Sequence, residues 1–344
     1  MNKKYELLKE DCIEHFGITL YRIRSLKNFG NVKAGDLGGY IEHEDNLSQE
    51  YNCWVYDDAK VFDNAYIFEN ARIHDNVIIY DNAKVYGNAI VCCDARIFGD
   101  AHIYDDAVIL NDAHIHGDAH IYRNAKVFHS AKVYGDANVY GHAKVYNKAK
   151  VYDCATIFGN AKIYNKAEVY GAAEIYDNAE IYDNAKVYDH SIILGDASIH
   201  ENAKVYERAF VYDNALVCGN AQIYGNAKIY GNAKVFGNVS IYGTTIIDRN
   251  ANVYGNISIS EGTIIGRVSM PYKDIFQHQC HNRVLIAILT EDNEILYSIG
   301  CQHNITEEKF LDKIHNDNGG LQENPHREEY LKLIKTIKIY FEGE

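Results

Sequence analysis

From Tyr51 to Gly266 the hydrophobic positions of the chain recur every six residues. Cut into hexads, the sequence reads YNCWVY, DDAKVF, DNAYIF, ENARIH and continues to EGTIIG, 36 hexads in one phase without insertion or deletion. The fifth position is Val or Ile in all 36, and the third is Ala in 29. Side chains alternate between the two faces of a strand, so positions three and five point one way, into a core, while four and six point out. Positions one and two carry Gly-Asn, Asp-Asn and Gly-Asp pairs, residues that tolerate tight turns and positive φ. Each hexad therefore predicts one short strand and one corner. Three hexads make one triangular coil, and 36 make about 12 coils, stacked at ~4.8 Å per strand. No coil can stand alone, because its core exists only through its neighbours.

The pattern changes at both ends. The stretch 1–34, taken as a cap, joins the helix-forming run LLKEDCIEHF to a strand-like GITLYRIRSL, after which Ile41 and Leu47 fall in phase with Cys53 at the inward third position. The solenoid is then expected over 35–266 and a small α+β capping or partner domain over 267–344. There, HNRVLIAILTEDNEILYSIG predicts a β-hairpin around Glu291 to Glu294. A helix capped by Thr306, with Phe310, Leu311 and Ile314 as its apolar stripe, should follow. Asn324-Pro325 opens a last helix facing inward through Tyr330, Leu331, Ile334 and Ile337.

Runs such as Ile223-Tyr224-Gly225-Asn226-Ala227-Lys228 resemble the hexapeptide-repeat family, with Tyr in place of the usual small residue after the aliphatic. The resemblance implies a left-handed parallel β-helix. The opening TLYRIRSLKNFGNVKAGDLGGYIE and the tail IGCQHNITEEKF are similar to uncharacterised hexapeptide-repeat proteins of bacterial prophages, which implies a phage or prophage accessory protein and no particular activity.

Composition narrows the uses of this scaffold. The net charge of −14 argues against a general nucleic-acid binder, which needs a basic footprint. The repeats hold 18 Lys and Arg against 26 Asp and Glu, a net of −8. Acidic corners at Asp57, Asp63, Asp75, Asp81, Asp183 and Asp213 would suit a DNA mimic, but interleaved lysines dilute that field. The eight cysteines show no paired framework and read as free thiols of a reducing compartment. With no apolar run near the ~18 residues of a membrane span and no hydrophobic signal core in MNKKYELLKEDC, a cytoplasmic protein is expected.

The candidate sites lie on the outward positions. The sixth position is Tyr in 20 hexads and Phe in 6. On one wall Tyr134, Tyr152, Tyr170, Tyr188, Tyr206, Tyr224 and Tyr242 should stack into a ladder, flanked by Lys132, Lys150, Lys186 and Lys204. Such a ladder either stabilises an exposed sheet or recognises a partner. Ile90, Cys92, Val108 and Leu110 put apolar side chains where polar ones belong, a candidate contact between subunits or with a cap. His102 and His120, one coil apart, should sit near enough to share a metal, and His278 with Cys280 and Cys301 with His303 imitate a ligand quartet. A hairpin turning near Asp292 pairs Cys301 with about residue 284, however, which leaves Cys280 out of register.

Hexapeptide-repeat acyltransferases usually interrupt their coils with an acceptor loop and use a catalytic His at an intersubunit cleft. These repeats are uninterrupted, and the chain shows no phosphate loop, nucleophile elbow or acid–base pair at catalytic spacing. The sequence therefore predicts a binding or structural solenoid without catalytic residues or cofactor, acting on a protein partner, with a homo-oligomer as a further option. An acyltransferase-like enzyme and a self-assembling filament or DNA-mimic protein are the alternatives.

Overall fold

The computed structural model describes residues 3–255, 258–260, 263–265, 269–270, 275–280, 283–289, 295–299, 302–316 and 327–342. Two compact units divide the chain, Met1–His190 and Ser191–Glu344. Both contain parallel β-solenoid coils, about 12 in all. Among the described residues no helix is long and apolar enough to cross a membrane.

The first unit opens with β1 (Tyr5–His15) and β2 (Ile18–Ser25), an antiparallel hairpin turned at Phe16 and Gly17, both in the left-handed region. β2 runs antiparallel to β3 (Leu37–Ile41), and β3 runs parallel to the first rung beyond it, Lys60–Val61. The hairpin thus covers a strand edge that would otherwise template further pairing. The helix formers LLKEDCIEHF are drawn into β1 because the exposed ladder offers their backbone partners and because Tyr5 and Leu8 are buried when the segment is extended. Trp54, 1% exposed, lies edge-on between Tyr5 and Phe29. Lys4 is fully buried beside it, donating to the carbonyls of Glu50 and Cys53 and to the Cys53 sulfur.

The first coil is longer than the repeat predicts. Ile41 pairs with Val61 and Leu47 with Ile67, so each partner lies two positions beyond the regular repeat. Both side chains are buried as expected, but they stack on fifth-position residues and not on the third-position column. From Trp54 through the rest of the first unit the partners are three hexads away, as in Trp54↔Arg72 and Val133↔Val151. The third- and fifth-position side chains of these coils are inaccessible to solvent, so that alanine and branched aliphatic columns fill a narrow interior. Backbone bonds run from coil to coil, with Lys132 N–H donating to Ala149 O (2.9 Å) and Tyr134 N–H to Val151 O (3.0 Å).

The corners explain the acidic positions. The first residue of the hexad adopts positive φ, from Asp57 (53°) and Asp63 (53°) to Gly135 (70°). At many acidic corners the carboxylate accepts the amide N–H of the corner above, as Asp57 from Asp75, Asp75 from Cys93, Asp81 from Gly99 and Asp213 from Gly231, whereas Asp183 accepts from the Asn165 side chain. These carboxylates therefore have a backbone task as well as a surface charge.

The second unit repeats the same coils. Two of its polar third-position residues find carbonyl acceptors, Ser191 donating to Val205 O and Thr245 to Tyr242 O. The phase slips in the last coil. Ile241↔Ile259 keeps the regular repeat, but Ile247↔Ile264 and Val253↔Met270 pair one position closer, so the final hexad read from the sequence is one residue out of register. Four antiparallel strands follow in sheet order β4 (Ile275–Cys280), β5 (Arg283–Leu289), β6 (Ile295–Ile299) and β7 (Gln302–Thr306). Helices α1 (Glu307–Asn316) and α2 (Arg327–Glu342) come next. Thr306 caps α1 by accepting the Lys309 N–H. Ala287, Tyr297, Phe310, Tyr330, Leu333, Ile334 and Ile337 form the core of this domain, with Leu311 and Leu331 against it; the Ile314 side chain lies outside the described residues.

Candidate functional site

The sixth position places rings outside every wall, and the regular coil places each above the last. In the first unit Phe62, Tyr80, Phe98, His116, Tyr134, Tyr152, Tyr170 and Tyr188 form one column, with successive centroids 4.7–5.2 Å apart and planes within 10° of parallel. The four tyrosines singled out there by the sequence are the later half of an eight-ring stack. In the second unit Tyr206, Tyr224 and Tyr242 stack likewise, at 4.9 and 5.0 Å.

The other walls carry ladders too. Phe68, Tyr86, Tyr104, Tyr122, Tyr140, Phe158 and Tyr176 stack on the second wall of the first unit, and Phe128, Tyr146, Tyr164 and Tyr182 on the third. Reading only the wall with unbroken tyrosines missed these; counting Phe as equivalent to Tyr at the sixth position would have found them.

Several stacked phenols are held above the usual range. Burial first, then neighbouring Tyr122 and Tyr86, push the Tyr104 hydroxyl up to about 12. Burial and the Glu168 charge raise Tyr152, and burial with a hydrogen bond to Glu180 raises Tyr164. The outer surface of a ladder therefore presents half-buried ring edges tipped by hydroxyls that both donate and accept.

The flanking lysines are partly neutralised. Glu168 accepts from Lys150 and Lys186, each at 2.8 Å, and Lys162 donates to Glu180 at 2.7 Å. Burial of Glu168 opposes its ionisation, but the two ammonium groups outweigh it and hold its carboxyl below the usual range. Lys132 pairs beside Lys150 in the adjacent coil, and Lys204 beside Gln222 in the second unit.

Ile90 pairs directly with Val108, and Cys92 and Leu110 take sixth positions in successive coils, where they interrupt the third wall's rings between His74 and Phe128. All four are half-buried. His102 and His120 pair in adjacent rungs with ring centroids 4.9 Å apart, and burial together with His120 lowers the His102 pKa. His114 and His116 belong to a different wall, where His116 is part of the long column.

In the C-terminal domain His278 and Cys280 lie on β4 and His303 on β7, the opposite edges of the four-stranded sheet, with Cys280 opposite Arg283. Cys301, and the side chains of the other three, lie outside the described residues.

One set of residues escaped sequence reading altogether. Second-position amides donate to one another up the corners: Asn52 to Asn70 (3.2 Å), Asn70 to Asn88 (3.2 Å) and Asn88 to Asp106 (3.1 Å), with a matching run through Asn202, Asn220 and Asn238 in the second unit. The signal was the Asn-Ala dipeptide at positions two and three, which turn propensity alone had already explained.

Comparison with known proteins agrees with this architecture. Residues 209–225 match a family model described as the YdcK beta solenoid repeat. A 40-residue stretch is 45% identical to "Uncharacterized acetyltransferase YdcK" of Escherichia coli (strain K12), covering 12% of this chain and 12% of that protein. The fold and these partial matches are consistent with the hexapeptide-repeat superfamily.

Proposed function

We propose that the chain is a binding scaffold that captures a protein partner on its aromatic ladders and performs no chemistry of its own. The carrying observation is the ring column, half-buried from Tyr80 to Tyr188 and closed at its first ring, Phe62, which is buried against Leu20 and Tyr40. Long aromatic strips of this kind are uncommon on surfaces without partners, and Tyr is among the residues that dominate binding at interfaces. Lysines and glutamates beside the column would form the polar rim of such a contact. The likeness of the two ends to prophage proteins supports a host protein as the partner, with inhibition as one outcome, and the same ladders could join further copies of the chain.

The test replaces Tyr134, Tyr152 and Tyr170 together with Ser and compares partner capture from host lysate with that of the unmodified chain, using circular dichroism to verify the fold. Loss of the same captured protein supports the ladder. Unchanged capture by a folded variant removes it.

The name of the E. coli relative favours a second reading, an acyltransferase. Acetyl-CoA titrated to millimolar concentration in a calorimeter distinguishes the two: saturable heat supports the enzyme, and its absence leaves the scaffold.

A further inference from the structure

Two irregularities fall on adjacent residues. Cys92 takes a sixth position on a wall where rings stack above and below, and Cys93 takes the corner position at φ 70°. Asp, Asn, Gly and Glu fill most corners of the solenoid, and Cys93 is the one cysteine in the left-handed region among the described residues. A cysteine has no side-chain amide or carboxylate to ease that conformation, so local propensity does not select it. Departures of this sort are expected where function overrides the local rule.

The coil stacking turns the pair into a cluster. Cys92 and Cys93 bring their sulfurs to 3.4 Å, and Asp75, one coil below, accepts the Cys93 amide through Oδ2 at 2.9 Å. One donor atom from each of Asp75, Cys92 and Cys93 lies within 4.8 Å of the others. A tetrahedral ion with Zn–S bonds of ~2.3 Å sets its sulfurs about 3.8 Å apart, so small side-chain movements would complete the geometry. Asp75 is exposed and the cysteines half-exposed, which gives an ion a route in. His74 occupies the sixth position directly beneath Cys92, its amide bonded to Val91 O, so a nitrogen donor stands one rung away.

We propose that Asp75, Cys92 and Cys93 form a binding site for a thiophilic divalent cation of the zinc type, with two thiolates, one carboxylate and an open fourth position. Binding one ion displaces the two thiol protons to solvent and leaves its oxidation state unchanged. Two thiolates select against magnesium and calcium, which prefer all-oxygen ligands. The open position would take water or a ligand atom from a partner. The site differs from the ladders in place and in chemistry, so it stands or falls independently of partner capture.

Cadmium reports on the site because thiolate coordination gives it an ultraviolet charge-transfer band. The full chain, reduced and then freed of reductant without air, is titrated with Cd(II), and Zn(II) is added in competition. Alkylation with mass spectrometry then identifies which cysteines the metal protects. Asp75→Asn keeps the corner acceptor, since Asn111 accepts the His129 amide in the same way, while Cys93→Asn installs a residue common at these corners. The expected result is saturation at one Cd(II) per chain, displacement by Zn(II) and protection of Cys92 and Cys93 together. The band should be lost in Cys92→Ser and in Cys93→Asn, and binding should weaken in Asp75→Asn. No band at one equivalent, protection of other cysteines, or full-strength binding by Asp75→Asn overturns the site. Protection in the unmodified chain decides the matter even where a variant fails to fold.

Discussion

The phenol ring of Tyr104 lies flat over that of Tyr122, with centroids 4.9 Å apart and planes 1° from parallel. The contact sets an electrostatic condition as well as a packing one. Burial and the adjacent phenols push Tyr104 up to about 12, and the same causes, with Tyr230 as neighbour, act on Tyr212 in the second unit.

Alkaline pH should therefore unfold the solenoid through its ladders. An unfolded tyrosine ionises near 10. A folded one held at about 12 contributes stability that is complete below pH ~10 and is lost as pH rises toward 12, because only the unfolded state gives up its proton in that window. Thermal unfolding followed from pH 8 to 12 should show the midpoint falling across this range. Tyr104→Phe, which keeps the ring and removes the hydroxyl, should fall less steeply; identical slopes would contradict the linkage.

The interior column should respond to lost volume. Ile157 is fully buried between neighbouring coils in the first unit. Ile157→Ala should cost about 2–5 kcal/mol in urea unfolding, since a narrow core has little freedom to collapse around the cavity. A cost under ~1 kcal/mol would mean that the coils relax into the gap.

The hairpin of β1 and β2 should act as a stopper. Removing residues 1–27 uncovers the outer edge of β3 and exposes Trp54, which invites pairing between chains. Sedimentation velocity should show species that grow with concentration in the truncated chain and a fixed size in the full one. A fixed size for both would show that the hairpin does not protect the edge.

The salt bridges of Glu168 should matter little for folding. Its two lysines are exposed enough for water to screen them, so Glu168→Gln should change stability by less than about 1 kcal/mol, and less still in high salt. A larger loss in a urea titration would show that the Lys150–Glu168–Lys186 row acts as a unit.

The six-residue period, the inward alanine and aliphatic columns, the outward rings and the turn corners were all legible in the chain, because each follows from strand alternation and φ preference within a few residues. Thr306 as a helix cap and the inward face of α2 were legible for the same reason. What required the folded molecule is whatever depends on the residue one coil away. The lengthened first coil, the slip in pairing at Ile264 and the extension of LLKEDCIEHF into β1 are choices of partner, made by the edge and core available to each segment. The corner carboxylates look like free surface charge until Asp75 is seen beneath the Cys93 amide, and Cys92 looks like a stray apolar residue until its sulfur meets that of Cys93. Local stereochemistry wrote the repeat, and the stacking of one coil on the next decided what each outward side chain touches.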